Sequence, residues 1–199
     1  MINPINKTMA TSGFPSLNKL SFGKLLTTSK GAKQIPITNE DGPLTWQPSD
    51  YLEIPFEPSN FSDKESNRVN ICFVPTDEIS SSLKLFETWC IKTLAKQSKE
   101  LLGAEQTESQ IQDKFQSSLK TSEKGWTSFR CKMNNTGRNA VQCWNPDKTV
   151  RSQPESWRDC RVIPKLHFKA LYVMGRDLGI IIDVTHCMVE EIEKQCPFE

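Results

Sequence analysis

The stretch from Arg161 to Glu191 constrains this chain more than any other. Two runs rich in Val, Ile, Leu, Phe and Tyr flank Met174-Gly175-Arg176-Asp177. A glycine-containing turn between two such runs predicts a β-hairpin, because the tight reversal needs backbone angles that glycine adopts freely. In the first run Val162, Leu166, Phe168 and Tyr172 fall at mostly even spacing, with Arg161, Lys165, His167 and Lys169 between or beside them. A strand carrying that pattern has one apolar face and one basic face. The second run, Leu178 to Val184, is almost continuously apolar, as expected of a strand central in its sheet.

The rest of the chain supplies partners for that hairpin. Two short strands about a glycine turn are predicted over Leu20–Thr28 and Ala32–Ile37, with Lys24, Lys30 and Lys33 crowded near the tip. Further strands are expected at Leu44–Gln47, Tyr51–Phe56 and Arg68–Val74, the second on an edge or at a bulge because Pro55 lacks an amide hydrogen. Then the period changes. Leu83, Phe86, Trp89, Cys90, Leu94 and Leu101 lie largely three and four apart, which predicts a helix within Asp77–Leu102, with Ser80 to Ser82 as caps and Gly103 as a stop. A shorter helix is expected over Glu108–Leu119. Strands resume at Trp126–Lys132 and Ala140–Trp144, joined by a turn at Asn134–Asn139. Short strands at this spacing, interrupted once by helix, predict a mainly β (α+β) domain, a barrel or sandwich with a helical insertion around residues 79–118. Residues 1–20 read as a flexible arm, residues 21–189 as one domain and residues 190–199 as a short acidic tail.

A net charge of +1 conceals strong segregation. Residues 1–36 hold five lysines and no acid, whereas residues 37–113 hold fourteen acids and six bases. Residues 114–172 hold twelve bases and four acids, and residues 173–199 hold two bases and six acids. Local potential, not net charge, attracts a polyanion, so the clustered bases can form an anion-binding face. Seven widely spaced cysteines, an odd number, read as reduced thiols. With no long apolar run and no charged-then-apolar start, an intracellular, membrane-free location is expected, in nucleus or cytoplasm.

Catalytic signatures are lacking: the chain has no GxGxxG, P-loop, HExxH, GxSxG or CxxC motif. Cys131, Cys143, Cys160 and His167 could in number ligate zinc, but their intervals lack the short paired spacing of a zinc knuckle. No enzyme, metal or cofactor is therefore expected. What remains is an interleaving of bases and aromatics: Trp126, Phe129, Arg130, Lys132, Arg138, Trp144, Lys148, Arg151, Trp157, Arg158, Arg161, Lys165, Phe168, Lys169 and Tyr172. Single-stranded nucleic acid requires this mixture, because bases stack on aromatic faces while Lys and Arg track phosphates. Even where the aromatics face inward, the alternating bases face outward together.

The segments Phe22-Gly-Lys24, Ser29 to Ile37, Leu52-Glu-Ile-Pro-Phe56, Leu171 to Gly175 and Gly179 to Ile182 resemble a family of single-stranded-DNA-binding-like proteins of large DNA viruses of eukaryotes. That resemblance implies an OB-like β-barrel of five or more strands with the helices inserted mid-barrel. It also implies non-sequence-specific single-stranded DNA binding in replication, recombination or repair. Lys24, Lys30 and Lys33 join the basic and aromatic residues as expected binding positions. The end of the chain, with Glu190, Glu191, Glu193 and Phe198, is similar to tails with which single-strand binders recruit replication proteins, though Cys196, Pro197 and Glu199 depart from that pattern. Such a tail is expected to compete with DNA for the basic face, unless Ile192 and Phe198 fold back onto the domain. Homo-oligomer formation is left open. The competing reading is a structural or assembly protein, for example a virion component, and a third is a metal-dependent nuclease.

Overall fold

The computed structural model of the chain describes residues 13–29, 31–60 and 66–192. The sheet begins with β1 (Leu20–Phe22), β2 (Leu26–Thr27), β3 (Lys33–Asn39), β4 (Thr45–Trp46), β5 (Leu52–Glu53) and β6 (Arg68–Phe73). Helices α1 (Asp77–Lys96), α2 (Ser98–Leu102) and α3 (Glu108–Lys114) follow. The chain then returns to strand in β7 (Phe115–Gln116), β8 (Leu119–Thr121), β9 (Thr127–Asn134), β10 (Gln142–Trp144) and β11 (Val150–Arg151). It closes with the long strands β12 (Cys160–Met174) and β13 (Asp177–Glu191).

The expected hairpin is the spine of the molecule. β12 and β13 pair antiparallel from Cys160↔Glu191 to Met174↔Asp177. Gly175 has φ 60° at the first position of the two-residue turn, where a primed hairpin turn demands a positive angle. Register shifts fall between Lys165 and Leu166 and between Phe168 and Ala170, leaving Thr185 and Lys169 as the extra residues. Such bulges bend and twist a long ribbon. β13 lies inside the sheet: β12 covers one edge, while β7, β9 and β10 pair in parallel along the other. β12 is covered in turn by β5, β4 and β3, and β9 carries β6 and β8.

The fold is thus mainly β with a helical insertion, thirteen strands among the described residues. The sheet is not closed. Between β5 and β6 one backbone hydrogen bond runs from the Val74 N–H to the Glu53 carbonyl (3.0 Å), where a closed barrel would have a ladder.

The helices cover the inner face. Thr76, not the serines, caps α1 by accepting from the Ile79 amide (3.3 Å), and Asp77 and Glu78 in the first turn suit the helix dipole. Ile79, Leu83, Phe86, Cys90, Ile91 and Leu94 form its buried stripe. Phe86 meets Phe168 edge-on at 5.0 Å between ring centroids, and Phe73 lies 5.2 Å from Phe129. These four rings are fully buried, and each contributes roughly 1.5–3 kcal/mol through burial. The insertion is shorter than its helical spacing suggested. α3, held by a capping box between Thr107 and Gln110, ends at Lys114, because Phe115 pairs beside Leu178 in the sheet.

Two boundaries differ from expectation. Residues 13–20, read as part of a flexible arm, are docked: the Phe14 ring contacts Trp46, Phe86 and Phe168 at 4.9, 5.6 and 5.5 Å. Glu190 and Glu191, read as the start of a tail, are rungs of β13 opposite Arg161 and Cys160.

Candidate nucleic-acid interface

With the helices on the inner face, the outer face of the sheet is open, and strand parity decides which side chains reach it. On β9, Phe129, Cys131 and Met133 are buried while Arg130 and Lys132 are exposed. Residues opposite one another in a ladder share a face, so Asn134, Lys132 and Arg130 stand beside Arg68, Asn70 and Cys72 of β6. Lys132 is also level with Asp183 of β13, which is level with His167 of β12. One row further along, Gln142, His186 and Lys165 line up across β10, β13 and β12.

Of these rows Arg68, Asn134, Lys132, Asp183, Gln142 and His186 line an open groove of about 530 Å³, to which Arg138 and Lys169 also contribute, while His167 lies outside it. The bulge at Lys169 and the loop carrying Arg138 bring in cations from opposite sides. Four cationic side chains face one carboxylate, Asp183, which is ion-paired with Arg68. Lys132, Arg138 and Lys169 form no ion pair among the described residues. Burial holds the Lys132 ammonium below its ordinary pKa, the guanidinium charges of Arg68 and Arg130 add to this, and Asp183 opposes it. A lysine whose charge is resisted by neighbouring cations gains most from an arriving anion.

Trp126 precedes β9 with the parity of Arg130 and Lys132, six residues or about 20 Å from Lys132 along the strand. It is 36% exposed and meets Phe56, 57% exposed, edge-on at 5.5 Å. This exposed aromatic pair continues the cationic row of β9.

Not all expected binding residues gather here. Lys132, Arg138 and Lys169 line the groove, Arg130 and Lys165 flank it, and half-buried Trp144 follows Gln142 on β10. Trp157 is 5% exposed in a short 3-10 turn and is a core residue, so it offers no face for stacking. Arg151 and Arg161 are held by Glu191 (2.6 Å) and Glu190, and the charge of Arg158 lies near Glu57. Acids expected in a tail therefore balance bases expected at the interface. Lys148 sits at an exposed turn with φ 68°. Lys24 and Lys33 are exposed at β1–β3, across β12 from the groove, and do not line it. Lys30, Glu193 and Phe198 lie outside the described residues. Arg68 and Phe56 were not anticipated. Arg68 belongs to the acidic block, where its outward parity opposite Val69, Ile71 and Phe73 was the available signal.

The zinc candidates Cys131, Cys143, Cys160 and His167 do not converge, and among the described residues no three His, Cys, Asp or Glu side chains form a metal-binding cluster. The six described cysteines are free thiols. Burial pushes Cys90, Cys131 and Cys187 well above the ordinary thiol range and Cys143 to about 11.

Fold and groove together define an open, mainly β protein with a cationic outer face. The chain is similar to a single-stranded DNA-binding protein from bacteriophage Enc34 solved in complex with ssDNA, at 11% identity and a TM-score of 0.48, covering 88% of this chain and 97% of that one. A C-terminal truncation of the phage protein gives 9% identity and a TM-score of 0.47, covering 91% and 100%. Neither protein-family models nor curated proteins match the chain, so the resemblance to a family of large eukaryotic DNA viruses finds no support.

Proposed function

We propose that this chain binds single-stranded DNA along its outer sheet face without reading sequence, and that it serves replication, recombination or repair as a binding protein rather than an enzyme. The observation that carries the proposal is the convergence of Arg68, Lys132, Arg138 and Lys169 on one open groove, in line with the exposed Trp126–Phe56 pair. The cations track phosphates, and the aromatic pair offers a surface to an unstacked base. A groove whose lining carries four cations against one carboxylate, itself already paired with Arg68, suits a strand whose phosphates enter the groove.

We read the architecture as OB-like: β13, β12, β5, β6 and β9 follow one another, with the ring left open between β5 and β6, where one hydrogen bond, from the Val74 N–H to the Glu53 carbonyl, spans the gap. The test is fluorescence anisotropy of labelled oligo(dT) at two salt concentrations. Tight binding that falls steeply with salt supports the proposal, and absence of binding at low salt refutes it.

A further inference from the structure

Of the two histidines in the chain, His186 lines the cationic groove, and its surroundings determine where a proton can be added. The Thr185 hydroxyl donates to the Lys165 carbonyl (3.2 Å) and lies 3.0 Å from His186 Nδ1. A hydroxyl has one hydrogen, so Thr185 can only accept from the imidazole. His186 is therefore the Nδ1–H tautomer when neutral, with the lone pair on Nε2. Among the described residues Nε2 has no hydrogen-bond partner, and protonation there leaves the Thr185 contact intact.

The charged and polar groups around this imidazole come from every neighbouring element. Lys165 stands opposite on β12, Gln142 is level on β10, Lys132 and Asp183 lie on β9 and β13, and Arg68, Arg138 and Lys169 complete the lining. Cations outnumber the single carboxylate, which Arg68 already engages. In the empty groove burial and then Lys165 disfavour the imidazolium. A bound strand reverses that balance, since its phosphates neutralise the cations and accept from a new Nε2–H.

Resting on the single-strand reading of the same groove, we propose that binding there is proton-linked: the occupied groove takes up a proton on His186 Nε2, so a strand is held more tightly in mild acid. The sign follows from linkage. Phosphate raises the imidazole pKa in the complex, so the gain begins as pH falls through the bound-state value and is complete below the free-state value. One unit of difference corresponds to tenfold in affinity.

The experiment is an anisotropy titration of labelled oligo(dT) from about pH 8 to about pH 5.5, a window in which thymine does not titrate and carboxylates stay largely ionised. Affinity is expected to rise about tenfold, and the salt slope to steepen by about 0.7 as one more cation meets a phosphate. H186Q should flatten the pH dependence, while H167Q should retain it. In the unmodified protein, imidazole NMR titrations with and without oligo(dT) should show the His186 midpoint moving up on binding, a readout that needs no variant to fold. A pH-independent affinity, a dependence that survives H186Q, or an unmoved His186 midpoint overturns the proposal. Binding without pH linkage removes this proposal alone, whereas no binding at any pH removes the single-strand reading with it.

Discussion

Replacing Lys132 and Lys169 together by glutamine tests the interface most directly. The two residues enter the groove from β9 and from the β12 bulge, so the double variant removes cations from both sides and leaves Arg68 and Arg138. On a single strand each phosphate contact contributes about 0.7 to the slope of log affinity against log salt. Four groove cations therefore predict a slope near −3, and the double variant one shallower by about 1.4. At roughly 0.1 M salt each lost contact costs about fivefold, so affinity should fall roughly 25-fold, or about 2 kcal/mol. The fold should survive. Because burial and the neighbouring guanidinium groups lower the Lys132 pKa, the folded state resists that charge below the folded-state pKa, and a neutral side chain relieves the resistance. Anisotropy with labelled oligo(dT) across a salt series reads both quantities, and circular dichroism checks folding. A folded double variant with the parent slope would refute the placement of the site.

Three further outcomes are expected. Oligo(dT) should quench tryptophan fluorescence through Trp126, and Phe56→Ala or Trp126→Ala should weaken binding by about 1–3 kcal/mol, the worth of one stacked base; unaltered quenching in Trp126→Ala would place stacking elsewhere. Glu57 accepts from the Ser156 hydroxyl (2.8 Å) and from the Trp157 and Arg158 amides (3.1 Å each). Burial raises its pKa but these bonds outweigh it and leave it below the ordinary value, so its contribution is present above the unfolded pKa and lost as pH falls through the folded one. Glu57→Gln should accordingly lower Tm at neutral pH, with the difference shrinking in acid; a constant difference would contradict this. A Cβ on Gly179 would come within 2.6 Å of the Tyr172 ring, so Gly179→Ala should destabilise by about 1–3 kcal/mol. Denaturant unfolding should show that loss reduced in a Tyr172→Ala background, and simple additivity would argue against the clash.

What the amino-acid order determined was local. The hairpin at Arg161–Glu191 was legible because β-branched runs, a Gly-Arg turn and two-residue alternation all point the same way. α1 was legible because its apolar positions repeat every three or four residues. Outward bases on β9 and β12 followed from parity alone, since burying Phe129 or Phe168 forces their neighbours out. Tertiary structure decided which outward residues meet. Arg68 lies in an acid-rich block, and only the antiparallel register of β6 on β9 and the parallel register of β9 on β13 bring it to Lys132 and Asp183. Arg151 and Arg161 looked equally available, yet pairing places Glu190 and Glu191 beside them. Trp157 resembled any other tryptophan among bases until a turn anchored by Glu57 buried it. Alternation fixes the face a side chain occupies, but its neighbours there depend on long-range strand pairing, which brings Arg68 to Asp183 across 115 residues of sequence, and no local pattern encodes that register.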